Sequence, residues 1–196
     1  MIFYDFEVFS YDWLVVFIDV LNKKEEVIVN DIDKLNSFYI EHREDIFIGY
    51  NSRHYDQYIF KGLLCGFNAK EINDYIIVKG QPGWKFSNLL RNIQINNYDV
   101  MTSFHGLKQL EGFQGHSIKE SNVSFNIDRP LTNDEIEETI KYCRYDVEQT
   151  IDVFIERKSE FEAHMGLIKA FKLPVAYIGK TQTQLTAIIL EATKKE

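Results

Sequence analysis

Two acidic residues near the N terminus have a spacing that could bind a metal ion. Asp5 and Glu7 stand two residues apart in the β-favouring run Ile2–Val8. Side chains at this spacing point to the same face of a strand, so the carboxylates repel each other unless a cation lies between them. Hard divalent ions such as Mg²⁺ prefer oxygen ligands, and the pair therefore indicates a metal site. A solvated strand face is the alternative for this pair alone.

A third acid, Asp56, ends the polar segment 51–56, which follows a predicted buried strand. We expect Asn51 or Ser52 to cap the helix that begins here, which puts Asp56 in its first turns. Asp56 then shares a helix face with Phe60 and Leu64, where a carboxylate without a charged partner is unusual. Placement of an acid at the positive end of the helix dipole is the alternative.

Tyr142 and Asp146 complete the set of residues that could carry chemistry. They stand four residues apart on a predicted helix and so lie one above the other, along the edge of its apolar stripe. A hydroxyl group one turn from a metal-binding carboxylate can orient a water molecule. The alternative is an ordinary helix boundary of Tyr and Asp.

The predicted elements place these residues in an α/β domain with a mixed sheet flanked by helices. Three antiparallel strands come first, and helices and strands then alternate. The predicted strands are Ile2–Val8, Trp13–Leu21, Glu26–Val29, Ile46–Ile48 and Ile93–Val100. An RNase H-like architecture has this order, although secondary structure alone leaves it one of several options.

The predicted helices follow from spacing and capping signals. Thr132 and Glu135 form a capping-box signature before a long apolar stripe, and Thr181 is a second N-cap. Gly166 is predicted to break the helical pattern, which stops at Pro174. The predicted helical segments start after Asp31, at about His54, at Leu107 (a short helix to Leu110), after Thr132 and after Thr181 (Gln184–Thr193).

Composition limits the classes of protein that fit. The chain has 196 residues, 45% of them hydrophobic, which suits one main domain. No stretch approaches the roughly 20 apolar residues of a membrane span, so we expect a soluble, intracellular protein. Cys65 and Cys143 predict neither a disulfide framework nor a zinc site. A net charge of -8 argues against non-specific coating of duplex nucleic acid, but not against an enzyme that meets phosphate through metal ions.

Together the three motifs resemble those of the DEDDy-type 3′–5′ proofreading exonucleases, DnaQ-like members of the RNase H-like superfamily. The sequence YDFEVF is similar to their first motif, NSRHYD to the second and YCRYD to the tyrosine form of the third. Residues 131–150 are most similar to exonuclease domains at the N terminus of bacteriophage DNA polymerases. The resemblance covers roughly residues 1–160 and has no departure at the five key positions.

The resemblance implies a role for each motif residue. Four carboxylates would bind two divalent cations, Mg²⁺ or Mn²⁺: Asp5, Glu7, Asp56 and Asp146. Tyr142 would hold the attacking water, and Asn51 and Tyr55 would touch the single-stranded end of the substrate. Lys108 and Lys119 are weaker candidates for phosphate contacts, and His54 and His105 for polar loop positions.

The implied function is metal-dependent 3′–5′ hydrolysis of single-stranded DNA ends to nucleoside monophosphates, in proofreading for a phage DNA polymerase. Trimming of RNA 3′ ends and a catalytically silent nucleic-acid-binding module are the alternatives. The implied partners are a DNA 3′ end and a polymerase body, in the same chain or separate, in the cytoplasm of an infected bacterium. Residues 1–162 would form the exonuclease domain, and residues 163–196 a helical extension or connector toward the polymerase.

Overall fold

The first three strands form an antiparallel meander in the computed structural model, which describes residues 1–101, 107 and 121–192. They are β1 (Ile2–Val8), β2 (Trp13–Asp19) and β3 (Lys24–Val29). The second strand ends before the predicted Leu21 because the Asp19 carboxylate accepts hydrogen bonds from the Leu21 and Asn22 amides and closes the turn.

Two further strands, β4 (Ile46–Gly49) and β5 (Asn96–Asp99), extend the sheet on the other side of β1. The strand order is β3-β2-β1-β4-β5, with β4 parallel to both β1 and β5. The predicted α/β class and mixed sheet are therefore confirmed. The fifth strand is shorter than predicted at both ends. It begins later because Ile93 caps the preceding helical turn, and it ends earlier because the Asp99 carboxylate accepts a hydrogen bond from the Met101 amide.

Six α-helices are described. They are α1 (Ile32–His42), α2 (Asp56–Leu64), α3 (Ala69–Asn73), α4 (Asn133–Glu156), α5 (Lys158–Ala170) and α6 (Gln182–Ile189). Shorter helical turns occupy Asp74–Val78, Gly83–Lys85, Asn88–Asn92 and Val175–Gly179. The predicted capping box at Thr132 and the predicted N-cap at Thr181 are confirmed, and Thr181 also forms a capping box with Gln184. Leu107 is helical as predicted. The rest of that predicted helix, Lys108, Lys119, His105 and the predicted helix end at Thr193 lie outside the described residues.

The predicted helix break at Gly166 is wrong, because α5 continues through it to Ala170. A mid-helix glycine costs about 1 kcal/mol relative to alanine. Burial of Phe161 and Ile168 on the same helix offsets that cost, and the chain breaks instead at Arg157, between α4 and α5.

The sheet separates two cores. One face packs Tyr4, Phe6 and Phe17 against α1, α2 and α3. The other face packs Phe3 and Val16 against α4, α5 and α6. The alternation of β1 therefore turns Asp5 and Glu7 toward the same side as Phe3, under α4.

Residues after 162 contribute to the second core. Ile168, Ile178 and Leu185 are buried and lie in the same cluster as Phe3 and Val147. The predicted boundary at residue 162 stays a prediction, but the described part of this segment packs on the sheet. Of the helices in the described ranges, none has the length and apolar character needed to span a membrane.

Candidate metal centre

The first strand positions Asp5 and Glu7 on one face. Tyr4 and Phe6 are buried in the first core, which fixes the alternation and so the direction of the acids between them. Asp5 lies opposite Val16, and Glu7 opposite Leu14, in the pairing with β2. Glu7 is only 7% exposed, which is unusual because glutamate side chains are rarely buried unless they are paired.

The long helix α4 covers these acids. Cys143 and Val147 are fully buried one turn apart, and their packing presses the helix onto the sheet. The Cys143 thiol donates to the Asp5 carbonyl oxygen at 3.3 Å and lies 3.8 Å from Asp5 Oδ2. Potential ligand atoms of Asp5, Glu7 and Cys143 all lie within 4.8 Å of one another. The strand and the helix thus form one compact group of potential ligands.

Asp56 joins the centre from the first turn of α2. It is 4% exposed, and its Oδ1 accepts a hydrogen bond of 3.1 Å from the Phe6 amide. This amide is available because β4 pairs with β1 only at Ile2 and Phe3. The end of the parallel pairing therefore creates the place where the Asp56 carboxylate is held against β1.

The charges of the other three predicted carboxylates act on Asp5. Burial, and then the charges of Asp56, Glu7 and Asp146, raise the pKa of Asp5 well above its ordinary value. Asp56 and Asp146 thus lie near Asp5 although they are outside the 4.8 Å group. Burial also raises the pKa of Asp56 to about 7, with a smaller contribution from the charge of Asp99 and an opposing one from the Phe6 amide. The carboxylates predicted from three separate motifs are therefore brought together.

Tyr142 lies beside this cluster. Burial, the charge of Asp146 and a hydrogen bond with the Asp146 side chain raise the pKa of Tyr142. Glu7 and Asp5 act in the same direction. The phenol is therefore protonated at neutral pH and can donate a hydrogen bond, as an orienting group requires.

The second motif differs from the sequence expectation in its capping. Neither Asn51 nor Ser52 caps α2, whose N-cap is Tyr55 without a side-chain hydrogen bond. Ser52 is instead fully buried and accepts a hydrogen bond of 3.1 Å from Asn97 on β5. Its hydroxyl therefore links the motif to the sheet and is not available to the helix end.

The two residues predicted to touch substrate lie on the same segment. Asn51 is exposed and has a φ of 56°, which asparagine tolerates better than most residues. Tyr55 packs against the first core, and its hydroxyl donates to Asn73 Oδ1 at 2.8 Å. Both roles stay predictions.

The sequence patterns did not single out Asp99, and they gave Cys143 no role at the centre. Asp99 ends β5, is 6% exposed, and accepts hydrogen bonds from the Arg53 amide at 3.0 Å and the Met101 amide at 2.9 Å. The usable signal for Asp99 was its position as an acid near the carboxyl end of a predicted strand, Ile93–Val100. The signal for Cys143 was its place between Tyr142 and Asp146 on the helix.

Replacing Cys143 with alanine is expected to leave the affinity of the candidate centre for Mn²⁺ unchanged. Burial and the charges of Asp5 and Glu7 raise the pKa of the thiol well above its ordinary value, so it stays neutral and is a poor metal ligand. The free energy of unfolding should fall by about 1–3 kcal/mol through lost packing. Calorimetric titration of the wild type, Cys143→Ala and Cys143→Ser with Mn²⁺ checks this. A loss of Mn²⁺ affinity in the alanine variant would make the sulfur a ligand.

The donor set fits a hard divalent cation. Each charged neighbour named above as acting on Asp5 is a carboxylate, and carboxylate oxygen is the ligand that Mg²⁺ and Mn²⁺ prefer. A bound cation would relieve the repulsion among these groups. Comparisons of the chain with protein-family models, with curated proteins and with solved structures gave no significant match.

Proposed function

We propose that this protein is a metal-dependent 3′–5′ exonuclease that hydrolyses single-stranded DNA ends to nucleoside monophosphates. The observation that carries the proposal is the placement of Glu7, Asp56 and Asp146 close enough to act on the charge of Asp5, with the phenol of Tyr142 hydrogen-bonded to Asp146. Four buried or half-buried carboxylates without a cation destabilise a fold, so their convergence favours a role that uses charge.

The proposal gives each residue of the centre a separate role. Asp5 and Glu7 would hold the cations from the strand, Asp146 from the helix, and Asp56 from the start of α2, where the Phe6 amide fixes its orientation. Two bound divalent cations supply stabilisation of the attacking and leaving oxygens of a phosphodiester during in-line displacement. Tyr142, as a protonated phenol, would orient the attacking water by donating or accepting a hydrogen bond.

The fold also supports the proposal. The order of three antiparallel strands followed by alternating helices and strands suits an RNase H-like architecture. We further propose that the exonuclease proofreads for a DNA polymerase, whose body would be its protein partner. That proposal rests on the resemblance of residues 131–150 to phage exonuclease domains.

A direct assay tests the proposed function. A 5′-labelled single-stranded oligodeoxynucleotide is incubated with the protein and Mg²⁺ or Mn²⁺, in parallel with chelator and with an RNA of the same sequence. We expect stepwise shortening from the 3′ end, release of nucleoside monophosphates and complete inhibition by chelator. Preferential shortening of RNA would favour the RNA-trimming alternative. An intact label on both substrates with either metal would refute the proposal.

The cluster also predicts an unusual dependence of stability on pH. Because burial raises the pKa of Asp56 from 3.8 to about 7, the folded state binds this proton more tightly than the unfolded state. The contribution to stability is fully present below about pH 3.8 and is lost as the pH rises through about 7. In chelator, the wild type should therefore lose stability relative to Asp56→Asn between pH 5 and pH 8, by a few kcal/mol at most.

Thermal unfolding of both proteins across this pH range, with chelator and with Mn²⁺, measures the effect. Asparagine keeps an oxygen that can accept the Phe6 amide, so the comparison isolates the charge. Mn²⁺ should raise the melting temperature of the wild type most at high pH, since a ligand that binds only the native state stabilises it. A difference between the two proteins that does not change with pH would contradict a strained, ionisable cluster.

A further inference from the structure

A groove runs along the outer edge of the sheet, beside β5. The segment Val175–Gly179 packs against this strand, and Gly179 allows the close approach because a Cβ there would lie 3.1 Å from the Asn97 carbonyl oxygen. Three adjoining cavities of about 350, 630 and 350 Å³ share lining residues at Arg53, Gln57 and Gly179–Lys180. We call the three together the β5 groove.

The β5 groove is positively charged, although the chain has a net charge of -8. Its cationic lining residues are Arg53, Lys61, Arg91 and Lys180, with His54 and His164 beside them. Of the described lining residues only Asp99 and Glu160 are acidic, and both line the first cavity. Such a concentration of cations in an otherwise acidic protein favours an anionic ligand.

Arg53 is the shared residue at the centre of the groove. It lines the first and second cavities, and within the described residues its buried Nε has no hydrogen-bond partner. An unpaired donor of this kind costs free energy in the folded state unless water or a ligand accepts from it. The Nε atom is itself buried, so a ligand would meet the rest of the guanidinium, which lines both cavities and suits a group with several hydrogen-bond acceptors such as a phosphate.

The widest cavity adds aromatic side chains to these charges. Trp84 is 53% exposed and lines it together with Tyr58. Gly83 lets this turn approach Tyr58, because a Cβ there would lie 2.3 Å from the ring. Lys85 Nζ lies 5.2 Å from the centre of the Trp84 ring. Cations interleaved with an exposed aromatic ring are the combination that binds single-stranded nucleic acid without sequence preference.

One end of the groove reaches Asp99, whose charge acts on Asp56 of the candidate metal centre. Gln94 and Ile95 line the cavity at the start of β5, and Asp99 lines the one at its end. Asp99 accepts the Arg53 amide, and its charge raises the pKa of Asp56. The strands β1, β4 and β5 run parallel, so the end of the groove at Asp99 lies at the same end of the sheet as the carboxyl end of β1, which carries Asp5 and Glu7.

We propose that the β5 groove binds the sugar-phosphate backbone of a single strand whose 3′ end occupies the metal centre. Arg53, Arg91 and Lys180 neutralise phosphates, and Trp84 stacks with a base. This inference rests on the proposed function for the direction of the strand. The groove itself is argued from charge and aromatic exposure, so it can be tested separately from catalysis.

The test is fluorescence anisotropy with a fluorescein-labelled single-stranded oligodeoxynucleotide, in chelator so that no hydrolysis occurs. The groove variant is Arg91→Gln with Lys180→Gln. The control is Lys23→Gln with Lys24→Gln, which makes the same change of charge at the start of β3, the strand at the opposite edge of the sheet. The groove variant should bind about tenfold more weakly, and its slope of log affinity against log salt should fall by about 1.4, since each single-strand phosphate contact contributes about 0.7. The control should bind as the wild type does.

Trp84→Ala separates stacking from charge. It should weaken binding by about 5- to 150-fold, the range for one stacked base, while leaving the salt slope unchanged. An RNA strand of the same sequence should respond to all three variants in the same way if the groove recognises the backbone that both share.

The outcomes distinguish this inference from the proposed function. Weaker binding in the groove variant, together with no nuclease activity in the wild type, would support the groove and refute the exonuclease. Nuclease activity in the wild type, together with equal affinities and salt slopes in the groove variant and the control, would refute the groove alone. A wild type that binds no single strand would also refute it.

Discussion

Asp5→Asn combined with Glu7→Gln is expected to abolish nuclease activity in a protein that remains folded. The loss should exceed the roughly 10²–10⁴-fold that a single general acid–base group contributes, because the variant removes the charges that hold the cations. The fold should persist because the substitutions keep the size of both side chains and the core is formed by their neighbours, Tyr4 and Phe6.

The same variant should be more stable than the wild type in chelator. Burial and neighbouring carboxylates raise the pKa of Asp5, so at neutral pH the ionised cluster costs free energy that neutral amides do not. Addition of Mn²⁺ should raise the melting temperature of the wild type, by an amount that corresponds to about 2.7 kcal/mol at a hundred times Kd, and leave the variant unchanged.

A matched control removes two exposed carboxylates elsewhere. Asp33 and Glu41 lie on α1, and Asp33→Asn with Glu41→Gln makes the same change of net charge. This control should keep wild-type turnover and the wild-type response to Mn²⁺. If Mn²⁺ shifted the melting temperature of the Asp5 and Glu7 variant equally, the ions would bind elsewhere and the assignment of the centre would be wrong.

The parts of the fold that the sequence predicted are those set by local patterns. The two-residue period of β1 separates Asp5 and Glu7 from Tyr4 and Phe6, and a period of two allows only one arrangement once the aromatic residues are buried. The capping box at Thr132 likewise specifies where α4 begins. Neither prediction needs knowledge of a distant part of the chain.

The parts that could not be predicted depend on tertiary packing. Gly166 does not end a helix because buried neighbours on α5 outweigh its propensity. Ile178 and Leu185 read as part of a connector, yet both are fully buried on the face of the sheet that carries the acids. Ile178 lies in a short helical turn, which gives no period from which its burial could be deduced, and Leu185 lies on a predicted helix whose packing surface the sequence does not specify.

The same distinction applies to the candidate centre. Motif spacing predicted the four carboxylates, and the structure brings them together. Motif spacing did not predict that Asp99 would act on Asp56, or that Asn97 would donate a hydrogen bond to Ser52. Each of these contacts joins segments far apart in sequence. The Tyr4 hydroxyl donates a hydrogen bond of 2.8 Å to the same Asn97, so buried hydrogen bonds link Tyr4, Asn97 and Ser52 next to the candidate centre.

The two α4 residues at the centre should act differently, although they lie one turn apart. Asp146→Asn removes a charge while keeping an oxygen for the Tyr142 phenol, and it is expected to abolish activity and weaken metal binding. Tyr142→Phe removes only a hydroxyl group, so the rate should fall by about 10²–10⁴-fold at most and metal binding should be unchanged. Residual activity in the phenylalanine variant should still require metal.

Single-turnover rates and calorimetric titration with Mn²⁺ measure both effects, with Tyr39→Phe as a control. The Tyr39 hydroxyl donates to the Gln94 carbonyl, outside the candidate metal centre, so its loss should leave Mn²⁺ binding and the single-turnover rate at saturating oligonucleotide unchanged. Burial and Asp146 raise the pKa of Tyr142, which keeps the phenol protonated, and the pH profile of Tyr142→Phe should therefore keep the wild-type shape near neutral pH. Loss of Mn²⁺ binding in Tyr142→Phe would make the phenol a ligand. A wild-type rate in Asp146→Asn would show that Asp146, the carboxylate assigned to the centre from α4, is not a metal ligand.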